Sequence, residues 1–338
     1  MKLALVTDAW FPQVNGVVRT LSRMKQELEA LGHAIEVVSP SDFRTVGCPT
    51  YPEIRLAVLP GRGVARRLAA SGAQAIHLPT EGPLGVAARR WCIKCRLPFT
   101  TSYHTRFPEY LAARAPVPLA WGYRAMRWFH APSAGVMVAT ASLREELAAR
   151  GFRNLRPWTR GVDLTLFRPR PGQAPPYALP RPVLLYVGRV AVEKNIEAFL
   201  SLDVPGSKVV VGGGPQLEQL RRRFPSAHFV GPQQGEALAA HYAAADVFVF
   251  PSLTDTFGLV VLEALASGLP VAAHPVTGPK DILAGSAAGV LDRDLRQAVL
   301  AALTLERSAA TAQARAHAET FSWRATADLF LANLRPFA

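Results

Sequence analysis

What this chain lacks narrows its chemistry first. Only three cysteines occur in 338 residues, Cys48, Cys92 and Cys95, which is too few for a disulfide framework and fits a reducing compartment. Cys92-x-x-Cys95 has the spacing of half a redox or metal site. No second Cys or Cys/His pair follows at a suitable distance, so two small apolar residues on a helix is the plainer reading. No apolar run approaches the roughly 18 residues of a membrane-crossing helix. The N-terminal run Leu3–Val6 is stopped by Asp8, too soon for a signal peptide. These absences predict a protein kept in the cytoplasm. Missing too are a G-x-G-x-x-G after the first strand and any G-x-x-x-x-G-K-[ST], which argues against a dinucleotide enzyme or a P-loop NTPase. No D-x-D pair stands between apolar strands, so neither a metal site nor a cofactor is expected.

Acidic residues are scarce in one half only. Residues 1–170 hold 24 Lys/Arg and 11 Asp/Glu, whereas 171–338 hold 14 of each. The whole excess of +13 therefore lies in the first half. Between Arg62 and Arg127 stand eleven basic residues and two acidic ones, Glu81 and Glu109. So one-sided a balance implies a polyanionic partner: a membrane surface, nucleic acid or a phosphorylated substrate.

Hydrophobic residues make up 49% and charged residues 19%, enough apolar material for two ordinary domains of about 150 residues. The first forty residues read as one βαβ unit: strand Lys2–Thr7, a loop to Gly16, helix Val17–Leu31 and strand Ile35–Val38. The proline-rich stretch 168–182 suits neither helix nor central strand and reads as an interdomain linker. Beyond it strands are expected at Val183–Val187, Lys208–Val211, His228–Val230, Val247–Pro251 and, as the last, Pro270–Ala273. Helices are expected at Asn195–Leu202, Gln216–Arg223, Glu236–Ala245 and Gly258–Ser267. The fold class is α/β: two doubly wound, Rossmann-like parallel-sheet domains, 1–168 and 182–320, facing across a cleft, with a closing segment 321–338. Ligands of such sheets sit beyond the carboxyl ends of the strands.

Three constellations lie at such ends. Phe257–Ser267 is an apolar helix with one charge, Glu263. A carboxylate there is costly unless donors meet it; it turns to solvent, pairs with an arginine, or meets the hydroxyls of a ribose. Upstream, Thr254-Asp255-Thr256 either caps orphan amides or joins the helix amides at Phe257, Gly258 and Leu259 on one ligand, a setting suited to phosphate. Second, Gly188-Arg189 through Lys194-Asn195 sends two cations out of a strand, a diphosphate clamp if it faces Asp255, and Gly212-Gly213-Gly214-Pro215 lets backbone come close to a ligand. Third, Tyr103-His104-Thr105 follows the expected strand Pro98–Ser102. A histidine there is more often structural, yet its position puts it at the cleft edge.

The order of these segments resembles glycosyltransferase family 4. The resemblance is carried by Asn15-Gly16, Tyr103-His104-Thr105, Gly161-Val162-Asp163 with Phe167-x-Pro169, Gly188-Arg189 through Lys194, Gly212-x-Gly214-Pro215, and Pro251-Ser252 through Asp255-x7-Glu263. Phe321-Ser322-Trp323 resembles the start of that family's terminal helix, which crosses back onto the first domain. Members that build glycolipids, such as sulfoquinovosyl- or glucosyl-diacylglycerol synthases and phosphatidylinositol mannosyltransferases, are the nearest in kind. The resemblance implies a GT-B fold and metal-independent hexose transfer from a UDP or GDP sugar with retention of configuration. It also implies roles. Gly16 offers its amide to the β-phosphate, Arg189 and Lys194 neutralise the leaving diphosphate, Glu263 holds the ribose, Asp255 holds the sugar, and His104 touches the sugar. The first of the family's paired carboxylates is usually Glu and here is Asp255, which leaves the sugar open.

Arginine clusters at 62/66/67, at 89/90/96 with Lys94, and at 124/127 are interleaved with Trp91, Ile93, Trp121, Met126, Trp128 and Phe129. This mixture suits a helix lying on an anionic membrane, so the expected partners are a nucleotide sugar and the inner face of the cytoplasmic membrane, not nucleic acid. A 2-epimerase of the same fold, a basic nucleic-acid-binding protein, and a transferase with a soluble or polysaccharide acceptor are the alternatives.

Overall fold

The computed structural model describes residues 1–13, 15–48, 51–112 and 117–337, with the side chains of 51–53 left aside. Val14 of the first loop, Arg114 among the eleven cations, and Ala338 at the terminus lie outside the described residues. The chain divides into two compact units, 1–160 with 323–338, and 161–322.

Strands in the first unit are β1 (Lys2–Val6), β2 (Ala34–Val38), β3 (Thr45–Cys48), β4 (Tyr51–Ala57), β5 (Ala75–Leu78), β6 (Thr100–Tyr103), β7 (Gly135–Val138) and β8 (Leu155–Pro157). Six of them form one sheet in the order β2-β1-β5-β6-β7-β8, while β3 and β4 make a separate antiparallel pair. Every pairing in the six-stranded sheet is parallel. Successive side chains of a strand point to opposite faces, and β1 shows the result. Leu3 and Leu5 join a core with Leu21, Met24 and Leu28, to which Trp323, Ala327 and Phe330 of the helix Trp323–Asn333 are added. Ala4 and Val6 join the opposite core, with Val64, Leu68, Leu84, Ala88, Cys92 and Phe129. That second core seats three helices, Gly61–Ala70, Pro83–Cys95 and Leu119–His130, as one layer. Cys92 is inert there, its thiol pushed up to about 12 by burial.

The second unit holds β9 (Val183–Val187), β10 (Ser207–Val211), β11 (His228–Gly231), β12 (Val247–Phe250), β13 (Val271–Ala273) and β14 (Gly289–Leu291). Their order is β11-β10-β9-β12-β13-β14, again all parallel. This is the Rossmann order, and it reverses between β9 and β12. One strand exceeds expectation: the sheet does not end at β13, because the short β14 pairs with it. β14 opens on Gly289 and is only three residues long, a pattern too brief to stand out by periodicity. The proline-rich stretch 168–182 carries no helix or strand and lies inside this unit, whose boundary falls at Gly161.

Candidate active site

The reversal between β9 and β12 separates the crossovers of the two half-sheets, and the crevice it leaves is where open α/β sheets take ligands. Chain leaving β9 turns at Gly188 and Arg189, where the Tyr186 hydroxyl donates to the Arg189 carbonyl at 2.8 Å. Val190 then donates its amide to Gly213 at 2.9 Å and Gly212 donates to Gly231 at 2.9 Å, which knits the loops after β9, β10 and β11. Gly212 tolerates no side chain, since a Cβ would stand 1.8 Å from the Gly188 carbonyl oxygen. A short turn, Val192–Lys194, ends at Asn195, whose side-chain amide donates to the Pro251 carbonyl at 3.1 Å. That bond ties the β9 loop to the end of β12.

The two loops therefore meet through their charges. Lys194 Nζ lies 2.6 Å from Asp255 Oδ2, both groups mostly shielded. The other oxygen of Asp255 accepts from the amides of Thr256, at 2.9 Å, and Phe257, at 3.4 Å. Asp255 thus orders the turn ahead of the helix Leu259–Ala266. The residue that caps this helix is Gly258, at φ +96, with no side chain to meet its first amides.

Glu263 is 3% exposed, so it does not turn to solvent. Its Oε2 accepts from the Tyr242 hydroxyl at 2.9 Å, a phenol donor that neither the solvent nor the arginine alternative supplied. Tyr242 comes from the helix Gly235–Ala244 and meets the edge of Phe167 at 5.5 Å between ring centroids. Asp163 accepts at Oδ1 from the amides of Thr165 and Leu166, both at 3.1 Å. The Gly161-Val162-Asp163 segment with Phe167 is therefore a built turn that backs the Tyr242–Glu263 pair.

In the first unit, Asn15 caps the helix Gly16–Ala30 by accepting from the amides of Val17 and Val18, each at 3.0 Å. Gly16 is exposed with open space over its Cα. His104 follows β6 and is held by two residues that sequence reasoning missed. Arg160 donates to its Nδ1 at 3.2 Å, and the ring packs edge-on against Trp158 at 5.6 Å. Arg160 also stacks over Trp158 at 4.1 Å and donates to the Trp158 and Thr159 carbonyls. Burial holds this guanidinium down to about 9. Burial, with Arg160 second, holds His104 well below the usual histidine value. The imidazole is neutral, its Nδ1 is an acceptor, and so its proton sits on Nε2. Arg160 immediately precedes Gly161-Val162-Asp163, and its place beside that motif was the one signal available.

Several surface expectations need correction. Arg89 is 8% exposed, and Met126 and Phe129 are buried. Arg89 donates to the carbonyls of Trp128, at 2.8 Å, and Phe129, at 3.0 Å, so it caps the end of the helix Leu119–His130. Its guanidinium lies 4.0 Å from the Trp128 ring. What stays exposed on the helix layer is Arg62, Arg66, Arg90, Lys94, Arg96 and Arg124. Trp121 and Trp128 of the same layer are 69% and 49% exposed.

Two doubly wound units, with a charge pair where the second sheet reverses, fit the GT-B class of transferases. Comparison with known proteins makes that specific. A model described as Glycosyltransferase Family 4 matches residues 14–166 and one described as Glycosyl transferases group 1 matches 181–306. The chain is 31% identical over 322 residues to a GDP-mannose-dependent alpha-mannosyltransferase of Mycolicibacterium smegmatis, covering 86% of this chain and 84% of that one. It is 28% identical over 345 residues to an alpha-monoglucosyldiacylglycerol synthase of Streptococcus pneumoniae, covering 90% and 78%. The fold matches that of the Anabaena protein HepE, solved with UDP and glucose, at a TM-score of 0.72 and 17% identity over 98% of both chains. The chain belongs to glycosyltransferase family 4 and is a hexosyltransferase of GT-B fold.

Proposed function

We propose that this protein transfers a hexose from a UDP or GDP sugar to a membrane lipid, with retention of anomeric configuration, while lying on an anionic membrane face. For the donor half, the carrying observation is the Lys194–Asp255 pair, which joins the loops after β9 and β12 at the switch point, with the buried Tyr242–Glu263 pair on the helix that follows. Glu263 takes the ribose hydroxyls, Asp255 the sugar hydroxyls, and Arg189 and Lys194 the diphosphate. Amides at Gly258 and Leu259 add helix-terminus donors, Gly188 and Gly213 shape the backbone around the donor, and Gly16 offers an amide to the β-phosphate. His104 Nε2–H donates to a hydroxyl of the sugar. The bond from the anomeric carbon to the diphosphate breaks, and its electron pair leaves with the nucleoside diphosphate under the stabilising charge of Arg189 and Lys194. The acceptor hydroxyl bonds to the same face of that carbon and gives its proton to a diphosphate oxygen. No group of the protein need be consumed.

For the acceptor half, the carrying observation is the helix layer of the first unit, whose helices carry six exposed cations as well as exposed Trp121 and Trp128. Exposed Phe107 and Leu111 lie on the helix Phe107–Ala112, which packs against Leu119–His130. Cations at headgroups and rings at the interface give membrane affinity, roughly 1 kcal/mol per cation near an anionic bilayer. Among the described residues no helix is long and apolar enough to cross a membrane, which leaves surface contact as the mode for this layer. Co-sedimentation with vesicles is the test. Binding should rise with phosphatidylglycerol content, fall with salt, and drop in a variant with Arg90→Ser, Lys94→Ser, Arg124→Ser and Trp121→Ser. Protein that stays in the supernatant with anionic vesicles at low salt sinks the lipid-acceptor reading in favour of a soluble acceptor.

A further inference from the structure

A cavity of about 760 Å³ lies in the second unit at the amino ends of β9, β12 and β13, where Pro182, Val247 and Pro270 line it. The carboxyl ends that carry the donor site are at the other edge of the sheet. Arg170, Arg181, Arg307, Asp246 and Ser267 also line it. We propose that this cavity is a second binding site, regulatory in effect, for a phosphorylated metabolite of monosaccharide size.

Charge is the first argument. Three guanidinium groups face one carboxylate in the wall, and that carboxylate is fully engaged. Asp246 Oδ1 accepts from both Arg181 and Arg307, while its Oδ2 takes the Val183 amide at 2.7 Å. Arg170 pairs with Glu236 at 2.7 Å, but the Glu236 side chain is 75% exposed, and such a pair contributes little. Unmet donors are the second argument. Among the described residues, Arg170 Nε and Ser267 Oγ are buried in the wall without a hydrogen-bond partner, with Ser267 only 4% exposed, so an occupant meets them by a turn of either side chain toward the cavity. Buried polar groups are nearly always satisfied. Phosphate oxygens accept from a hydroxyl and from the planar guanidinium fork alike. Size and lining are the third. The volume falls within the roughly 300–1,000 Å³ of small-molecule sites. Leu269, Leu303 and Leu305 offer apolar wall for a carbon skeleton, and no aromatic ring lines the cavity to stack a base.

The regulatory part follows from where two helices end. The helix Leu259–Ala266 carries Glu263 and finishes at Ser267 in the cavity wall. Its neighbour Gly235–Ala244 carries Tyr242, and Ala243 and Ala244 line the same cavity. An occupant braces the far ends of both helices that hold the Tyr242–Glu263 pair. Coupling of this kind is reciprocal, so phosphate-ester and nucleotide each change the other's affinity by one factor.

Calorimetric titration of the full chain with glucose 1-phosphate, glucose 6-phosphate, mannose 6-phosphate and inorganic phosphate tests this without relying on any transferase assay. At least one sugar phosphate should bind more tightly than inorganic phosphate. That affinity should fall at least tenfold in Arg170→Met and in Arg307→Ala, and stay unchanged in Lys194→Ala, which strips a cation from the donor site instead. Arg307 is two-thirds exposed, so its removal leaves folding intact should Arg170→Met misfold. No binding by any of the three esters overturns the site, as does inorganic phosphate binding equally well. Binding lost in Lys194→Ala but kept in Arg307→Ala overturns it too, by placing the ester in the donor site. UDP and GDP affinities, measured with and without the ester, should differ at least threefold for one nucleotide. Equal affinities remove the regulatory role.

Discussion

The two units have closely similar sheets and opposite surfaces. Each has six parallel strands reversing order once, after the first strand of the unit. Yet the first unit holds 24 Lys/Arg against 11 Asp/Glu and all six tryptophans, whereas the second holds 14 of each charge and no tryptophan. A doubly wound sheet evidently folds with either balance, so the difference speaks of partners and not of architecture. The neutral unit gathers charge where its sheet reverses, as the Lys194–Asp255 pair and the shielded Glu263. The basic unit spreads charge over a layer of three helices.

The comparison breaks first, and most strongly, at the clamp. Lys194→Ala and Arg189→Ala should each lower kcat by about 10²–10³, the usual loss when one fixed donor to a leaving anion is removed, with melting temperature little changed. Arg90→Ser with Lys94→Ser, in the other unit, should leave kcat on a water-soluble acceptor analogue near wild type and weaken vesicle binding instead. Steady-state kinetics on the four proteins settles it. Near-wild-type turnover in both clamp variants would show that the neutral unit's charges do something else.

Much of this contrast was legible in the sequence, and the part that was not has physical causes. Apolar runs such as Val183–Val187 and Val247–Phe250 are buried on both faces and stand out as strands whatever surrounds them. The order of glycines, cations and carboxylates after those strands made Lys194 part of a clamp only on the condition that it faced Asp255, and the two side chains do pair. Tyr242 escaped because it precedes Glu263 by 21 residues on another helix, and only the packing of the two helices joins them. Arg89 misled for the opposite reason. Its cluster Arg89-Arg90-x-x-x-Lys94 reads as a solvated face, yet the helical turn aims Arg89 at the end of a neighbouring helix, where unmet carbonyls attract a cation.

A smaller effect is expected at the Tyr242–Glu263 pair. Tyr242→Phe removes one hydrogen bond to a carboxylate, a loss of roughly 1.5–3 kcal/mol, so nucleotide affinity should fall about ten- to a hundredfold as Glu263 loses its orientation. Glu263→Gln should weaken nucleotide and nucleotide sugar alike. Asp255→Ala should spare the free nucleotide and weaken only the sugar-bearing donor. Titration of both ligands into the three variants separates these outcomes. Equal losses on the two ligands in Asp255→Ala would mean that Asp255 orders the loop for the nucleotide and not for the sugar.

The smallest predicted effect distinguishes the interiors of the two units. In the first, His77 is fully buried between the Thr100 and Ser102 hydroxyls, each at 2.8 Å. Burial, with Arg160 second, holds it down to about 3. His104 is shifted the same way. A histidine whose folded value lies below its unfolded one contributes its stability in full above about pH 6.5. That contribution is lost as pH falls below 6.5, because the unfolded chain then binds the proton first. For His77 alone, moving from pH 7.5 to 5.5 costs about 1.4 kcal/mol, and His104 adds to it. Asp8 works the other way. Burial first of all raises its carboxyl, against the hydrogen bonds from Leu84, Gly85 and Thr80, so the folded chain takes up that proton more readily than the unfolded one. The second unit has His241, also lowered by burial, and nothing like the His77–His104 pair around Arg160. Since every tryptophan lies in the first unit, the urea midpoint read by tryptophan emission reports that unit. It should shift downward between pH 7.5 and 5.5. A midpoint that holds steady would mean that the two imidazoles accept protons in place, and the neutral His104 with its proton on Nε2 would have to be given up.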